Sequence, residues 1–170
     1  MKLHIGGEEI KEGWSILNIQ EGPGVDYLGT CTDLSQFADK SIEAIYASHV
    51  FEHLGYRDEL PHTLAECYRV LETGGQLMIS VPNFGLLCQL FVAEGLRLTQ
   101  RFDLMRIIFG GQQDDFDFHK VGLIEDFLRN DLSKLGFSPI ERIEEFNLFN
   151  DSSSQRLGPH LISLNMVATK

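Results

Sequence analysis

Cysteine is scarce in this 170-residue chain, and the three present, Cys31, Cys67 and Cys88, are an odd number with no CxxC pair. That excludes a disulfide-stapled secreted scaffold and suits a reduced compartment. Long apolar runs are missing: no stretch approaches the roughly 18 residues of a membrane-spanning helix. The opening MKLHIGGEE has neither the apolar core nor the cleavage site of a signal peptide, so a cytoplasmic protein without membrane contact is expected. Basic residues are also few, 14 Lys and Arg against 25 Asp and Glu, for a formal charge of −11 and a pI near 4.9. Phosphate backbones need clustered cations, so nucleic acid is excluded as the main partner. Internal repeats and low-complexity segments are absent.

What remains is an ordinary globular composition, 43% hydrophobic and 23% charged. The length fits one domain over residues 1–170, large enough to bury a core. Strand-like runs fall at Lys2–Ile5, Ser15–Ile19, Val25–Leu28, Ala44–Ser48, Gln76–Val81, Ile140–Phe146 and Ile162–Ala168. Several are continuously apolar, as buried parallel strands are. Between them, DELPHTLAECYRVLETGG places Leu60, Leu64, Cys67, Tyr68 and Leu71 on one helical face, with Pro61 in the first turn and Gly74 as the stop. LIEDFLRNDLSKLGF groups Ile124, Phe127, Leu128, Leu132 and Leu135 and ends at Gly136. Residues 84–109 read as a helix in two pieces, and NDSSSQRLGPH (150–160) as a loop joining the last two strands. Strands alternating with helices predict a mostly parallel α/β sheet covered by helices on both faces.

The opening stretch HIGGEEIKEGWSILNIQ departs from that plan. Its first strand runs into two glycines, and only Gly7 to Gly13 separate them from Trp14 and the next strand. Parallel neighbours ordinarily need a crossover of about a dozen residues. Seven residues reach about 23 Å, against about 17 Å for a five-residue strand, so an extended return without a helix is expected.

Four stretches in order, LHIGG, GWSILNI, CTDLSQFADKSIEAIYASHVFEHL and ECYRVLETGGQLMISVPNF, resemble the class I S-adenosylmethionine-dependent methyltransferases. The resemblance covers nearly the whole chain. It implies a Rossmann-like seven-stranded sheet whose last strand, in GPHLISLNMVATK, runs antiparallel, with the first crossover helix missing. It also implies S-adenosylmethionine as cofactor at the carboxyl ends of the first strands. Its cofactor-contacting positions correspond to Gly6 and Gly7 for the methionine carboxylate and Asn18 with Ile19 for the ribose. Thr32, Asp33 and Leu34 correspond to the adenine contacts, and Ser48 and His49 to the end of strand 4. Gln20 and Glu21 are alternatives to Asn18, which stands where relatives carry an acid; a neutral acceptor is weaker by roughly 1 kcal/mol. Asp33 also reads as a turn or helix-capping residue.

The resemblance puts Glu52 and His53 on the substrate wall, and His119, in DDFDFHKVGL, where relatives place lid or substrate residues. His53 and His119 are the candidate catalytic bases, since imidazole titrates near neutrality. The acceptor is expected to be a small or carbohydrate-like molecule, its site completed by a partner protein or a second copy. A catalytically inactive binding module is the alternative. SHVFEHL also matches H-x-x-E-H, a zinc-peptidase pattern, but AIYASHV reads as strand where that pattern needs a helix, and no metal ligand is assigned. Asp114, Asp115 and Asp117 sit in an acidic, aromatic loop, FGGQQDDFDFHK.

Overall fold

The computed structural model describes residues 1–170. Seven strands form the sheet: β1 (Lys2–Ile5), β2 (Trp14–Asn18), β3 (Val25–Leu28), β4 (Ile42–Ser48), β5 (Leu71–Pro82), β6 (Ile140–Ile143) and β7 (Ser163–Thr169). Their spatial order is β3-β2-β1-β4-β5-β7-β6. The first five run parallel, and β7 lies antiparallel between β5 and β6. The order reverses between β1 and β4, the kind of switch point at which open α/β sheets hold ligands.

Helices cover one face. α1 (Glu59–Val70) buries Leu60, Leu64, Cys67 and Val70, and a later helix over Glu125–Leu135 buries Leu128 and Leu132. They pack on Leu3, Ile5, Ile45, Ala47, Leu77, Ile79, Leu164 and Met166 in one core cluster. Phe127, grouped with that helix's apolar face in the sequence, is instead exposed at its edge. Between these two helices α2 (Phe84–Val92) and α3 (Leu98–Phe109) pair on their own small core of Leu87, Leu104 and Ile162; the helix at Glu125–Leu135 is thus α4. Gly136, at φ +102°, ends α4 beneath the Tyr68 hydroxyl, where an added Cβ would lie 2.9 Å away, so both backbone shape and space require glycine.

The opposite face carries side chains one residue out of phase, among them His4, Ala44, Tyr46 and Met78. Helices on both faces were expected, but here the cover is a strap without α-helix, residues 144–155, linking β6 to β7 and holding only a 3₁₀ turn at Ser152–Ser154. Phe146, Leu148 and Phe149 from the strap pack with Trp14 over Ala44, Tyr46 and Met78. Polar anchors hold it: Tyr46 Oη donates to Asp151 Oδ2 at 2.8 Å, and Asn165 Nδ2 donates to the Glu144 and Ser153 carbonyls at 2.7 and 2.9 Å. Thus Phe146, expected at the end of β6, has left the strand to become cover.

The β1–β2 connection is the short return that the spacing predicted. β1 and β2 pair in parallel from Lys2 with Trp14 to Ile5 with Leu17, although residues 6–13 form no helix. Gly6 N–H donates to the Leu17 carbonyl at 2.8 Å and Asn18 Nδ2 to the Gly7 carbonyl at 3.0 Å, tying the return to β2. The return also grips the strap. Glu9 Oε2 accepts from Asn150 N–H at 2.9 Å, and Lys11 Nζ donates to the Leu148 carbonyl. The missing helix and the aromatic strap are therefore one structural exchange: the segment that lost its helix clamps the segment that replaces it.

Candidate functional site

Because β1 to β4 end at one level and the connections after β2 and β3 carry no helices, their carboxyl ends enclose a cavity of about 300 Å³. That is the low end of small-molecule pockets. Ile5, Leu17, Ile19, Val50 and Leu54 give it an apolar floor, with Asn18, Thr30 and Thr32 as polar edges. His49, His53 and Glu59 bound it on the β4 side, and Asp115, Phe116, Phe118 and Lys120 form the far wall. That far wall comes from the acidic, aromatic loop singled out in the sequence.

The candidate residues divide by position. Gly6, Asn18, Ile19, Thr32, His49 and His53 line this cavity. Gly7 and Ser48 face a second, acidic hollow of about 440 Å³ with Glu8, Glu9 and Asp151 on its walls. Leu34 is fully buried in the core, and its side chain faces no cavity. Asp33 is exposed; its Oδ1 accepts from Ser35 N–H at 3.0 Å in a local turn, which holds its carboxyl below the usual range. Asn18 is engaged on both sides, donating to Gly7 and accepting from Gln20 N–H at 3.0 Å, so one Nδ2 N–H and a second lone pair on Oδ1 remain for a ligand. Thr30 and Thr32 hydroxyls hydrogen-bond each other at 3.0 Å. Thr30, Cys31, Glu59 and Lys120 also line the cavity although the sequence singled out none of them. For Thr30 and Cys31 the signal was adjacency to the TDL stretch.

An S-adenosyl cofactor fits this geometry in one half only. The adenosyl end meets an apolar floor with polar edges. At the amino-acid end, a Cβ added to Gly6 would lie 2.6 Å from Val50 Cγ2, and one on Gly7 would lie 2.4 Å from His4 Nδ1. Val50 and His4 thus crowd the side of each glycine where a Cβ would stand, and the Gly6 N–H is spent on the Leu17 carbonyl, so the exposed turn has one donor fewer for a carboxylate.

Beside the cavity lies a compact polar group. His49 ends β4 in the left-handed region, φ +53°, a conformation that costs a non-glycine residue on the order of 1 kcal/mol. Its ring is fixed: Ser163 Oγ–H donates to the Ser152 carbonyl at 2.7 Å, so Ser163 Oγ accepts from His49 Nε2–H at 3.0 Å. The lone pair of His49 Nδ1 therefore faces Glu52 Oε1, 3.3 Å away. Glu52 and His53 belong to a single 3₁₀ turn, Phe51–His53, in which Glu52 is 1% exposed. Neither Glu52 oxygen has a hydrogen-bond partner, and burial pushes its carboxyl up to about 8. His53 Nδ1 meets the Phe118 carbonyl at 3.1 Å, and the His53 and His119 rings stand edge to face with centroids 4.8 Å apart. Burial lowers all three imidazoles, His49 to about 4, so each is neutral at pH 7. The structure thus joins His53 and His119, which the sequence named separately. It also shows that Glu52, named there only as part of a wall, is their buried centre. The H-x-x-E-H stretch spans a strand end and this short turn, so it lacks the helix on which that pattern sets two histidines.

Comparison with known proteins agrees with this geometry. Residues 13–79 match the methyltransferase domain family. Among curated proteins no sequence match is found. Of solved structures, an S-adenosylmethionine-dependent methyltransferase from Archaeoglobus fulgidus superposes over 99% of this chain and 85% of its own, with TM-score 0.61 and 19% identity. The Burkholderia thailandensis 1,6-didemethyltoxoflavin N1-methyltransferase, solved with its substrate and S-adenosylhomocysteine, matches over 99% and 70% at TM-score 0.60 and 16% identity. A methyltransferase in complex with the Haloferax volcanii Trm112 activator matches over 99% and 80% at TM-score 0.57 and 12% identity. Residues 13–79 are thus similar to the methyltransferase domain family, and over its whole length the chain shares the fold of the solved methyltransferases.

Proposed function

We propose that the protein seats the adenosyl group of S-adenosylmethionine in the cavity at the ends of β1–β4. It then methylates a small, hydroxyl-rich acceptor held against residues 115–120. The observation that carries this reading is the 300 Å³ cavity itself, at the switch point of the sheet. When bound, the cofactor supplies an electrophilic methyl carbon, so the protein's work is placement and proton removal. Ile5, Leu17 and Ile19 exclude water from the adenosyl face, while Thr30, Thr32 and the free lone pair of Asn18 offer polar contacts. Asp33, exposed and next to Thr32 in the chain, is the nearest carboxylate along the chain to that polar edge. Phe116 and Phe118 present partly exposed aromatic faces beside Asp115 and Glu59, a pairing that suits carbohydrate-like acceptors. His53 lines the cavity as a neutral imidazole and is placed to take the acceptor's proton.

Titration calorimetry with S-adenosylmethionine and S-adenosylhomocysteine tests the reading. Binding in the micromolar range is expected, weakened at least tenfold in Thr32→Trp, which projects an indole into the cavity. No heat at millimolar ligand leaves the second reading, a methyltransferase-like binding module. The crowding of Gly6 by Val50 and of Gly7 by His4 is the observation that favours it.

A further inference from the structure

The group beneath the cavity wall has an anomaly that adenosine binding does not explain. Glu52 is a carboxyl group fully buried with no hydrogen-bond partner on either oxygen. Such an orphan is ordinarily costly to bury. Imidazole nitrogens face it: His49 Nδ1 at 3.3 Å and His119 Nε2 at 4.0 Å from Oε1. One ligand atom from each of Glu52, His53 and His119 lies within 4.8 Å of the other two.

From this geometry we infer a binding site for a divalent first-row transition metal, held by Glu52, His53 and His119 with the His49 Nδ1 lone pair beside them. Two or three imidazoles with one carboxylate suit zinc, iron or cobalt, whereas magnesium and calcium prefer all-oxygen sets. The imidazoles are already oriented as metal ligands usually are. Bound histidines give their second nitrogen to a carbonyl, a carboxylate or another polar group. Here His53 has the Phe118 carbonyl at 3.1 Å and His49 has Ser163 at 3.0 Å. Each keeps one nitrogen with a free lone pair. Bonds of about 2.0–2.2 Å to one ion need ligand atoms roughly 3.3 Å apart, so the widest separation, 4.8 Å, contracts by about 1.5 Å on binding. The 3₁₀ turn and the exposed end of the 109–120 loop allow this.

The site differs from the H-x-x-E-H reading of the sequence. That pattern takes its ligands from two histidines on one helix and leaves the glutamate as base; here the glutamate is a ligand and His119 arrives from 66 residues further along the chain. The inference goes beyond the proposed methyl transfer and stands whether or not adenosine occupies the cavity. Where a metal is held, His53 and His119 serve as its ligands, and the cation at the cavity wall replaces a free imidazole as the group that orients an acceptor oxygen.

Cobalt(II) is the probe, added to the chelator-treated full chain while visible d–d absorption is followed. One Co²⁺ per chain is expected, with absorption bands of low-symmetry coordination that zinc abolishes by displacement. Glu52→Gln, which keeps size and removes the charge, and His119→Ala should each weaken uptake at least tenfold with circular dichroism unchanged. His160→Ala, at an exposed histidine, should leave it as it was. Absence of stoichiometric uptake overturns the site. So does uptake that survives in Glu52→Gln or is lost with His160→Ala. Should His119→Ala fail to fold, the isosteric Glu52→Gln decides alone.

Discussion

A single buried histidine shows how environment sets chemistry at the residue scale. His4 is 4% exposed in β1, with its ring 4.0 Å from that of Phe149 and edge-on to Tyr46 at 5.1 Å. Burial lowers its pKa from 6.5 to about 4. The unfolded chain therefore takes up a proton at a pH where the folded chain does not. The stability His4 contributes is complete above pH 6.5 and is lost as the pH falls toward 4. At about 1.4 kcal/mol per unit, this one group removes roughly 2 kcal/mol between pH 6.5 and 5. Urea unfolding at a series of pH values should show that decline, with His49 adding to it in the same direction. In His4→Gln the slope should flatten, whatever the variant's stability at pH 7; an unchanged slope contradicts the assignment. The sequence had given His4 no role. Its type was visible, but its burial depends on Phe149, 145 residues away in the chain, so nothing local marked it.

At the scale of elements, legibility followed periodicity. β1, β3, α1, α4 and the broken pair α2 and α3 were readable because each repeats an apolar spacing along its own length, and Gly136 ends α4 as expected; α1 instead stops at Val70, short of Gly74, because Leu71 already opens β5. The strap was not readable. Phe146, Leu148 and Phe149 have neither a strand's nor a helix's rhythm over enough residues, and their partners Trp14 and Tyr46 come from distant strands. Yet the short return predicted from Gly7 to Gly13 implied that something else had to cover that face. The strap answers it, with aromatic bulk in place of a helix. Phe149→Ala should therefore act on the whole sheet rather than on a loop. It deletes contacts with His4, Trp14 and Tyr46. Because the ring is only half-buried, a loss of about 2–3 kcal/mol is expected, below that of a full core phenylalanine. A change under 0.5 kcal/mol in chemical unfolding would mean that the strap is decoration. Glu9→Ala and Lys11→Ala remove the surface anchors and should cost less than 1 kcal/mol each.

At the scale of the whole molecule, the exchange of helix for strap reaches the cavity. The return that saved the chain a helix leaves Gly6 under Val50 and Gly7 under His4, while the strap closes the far side with Asp151 and its neighbours around an acidic hollow. The sequence carried the resemblance that names the adenosyl positions, but not which side chains would lie over the glycines, because those come from β1 itself and from the turn after β4. A binding site halved in this way makes a quantitative prediction. In a protein with an open cradle, the amino-acid tail adds a charge-assisted set of contacts to backbone N–H groups at a helix start. Here no helix follows the turn and the Gly6 N–H is already bonded to Leu17, so the tail should add little. S-adenosylhomocysteine is expected to bind within about tenfold of adenosine, a difference under about 1.4 kcal/mol. Val50→Ala removes the Cγ2 that lies over Gly6 and should tighten S-adenosylhomocysteine several-fold while leaving adenosine unchanged, at a stability cost of about 1–2 kcal/mol. Parallel titrations of both ligands against both proteins measure this directly. If S-adenosylhomocysteine binds the wild-type chain a hundredfold more tightly than adenosine, the tail has a cradle of its own, and the acidic hollow beside Gly7, where a ligand ammonium would meet Glu8, Glu9 and Asp151, becomes the place to find it.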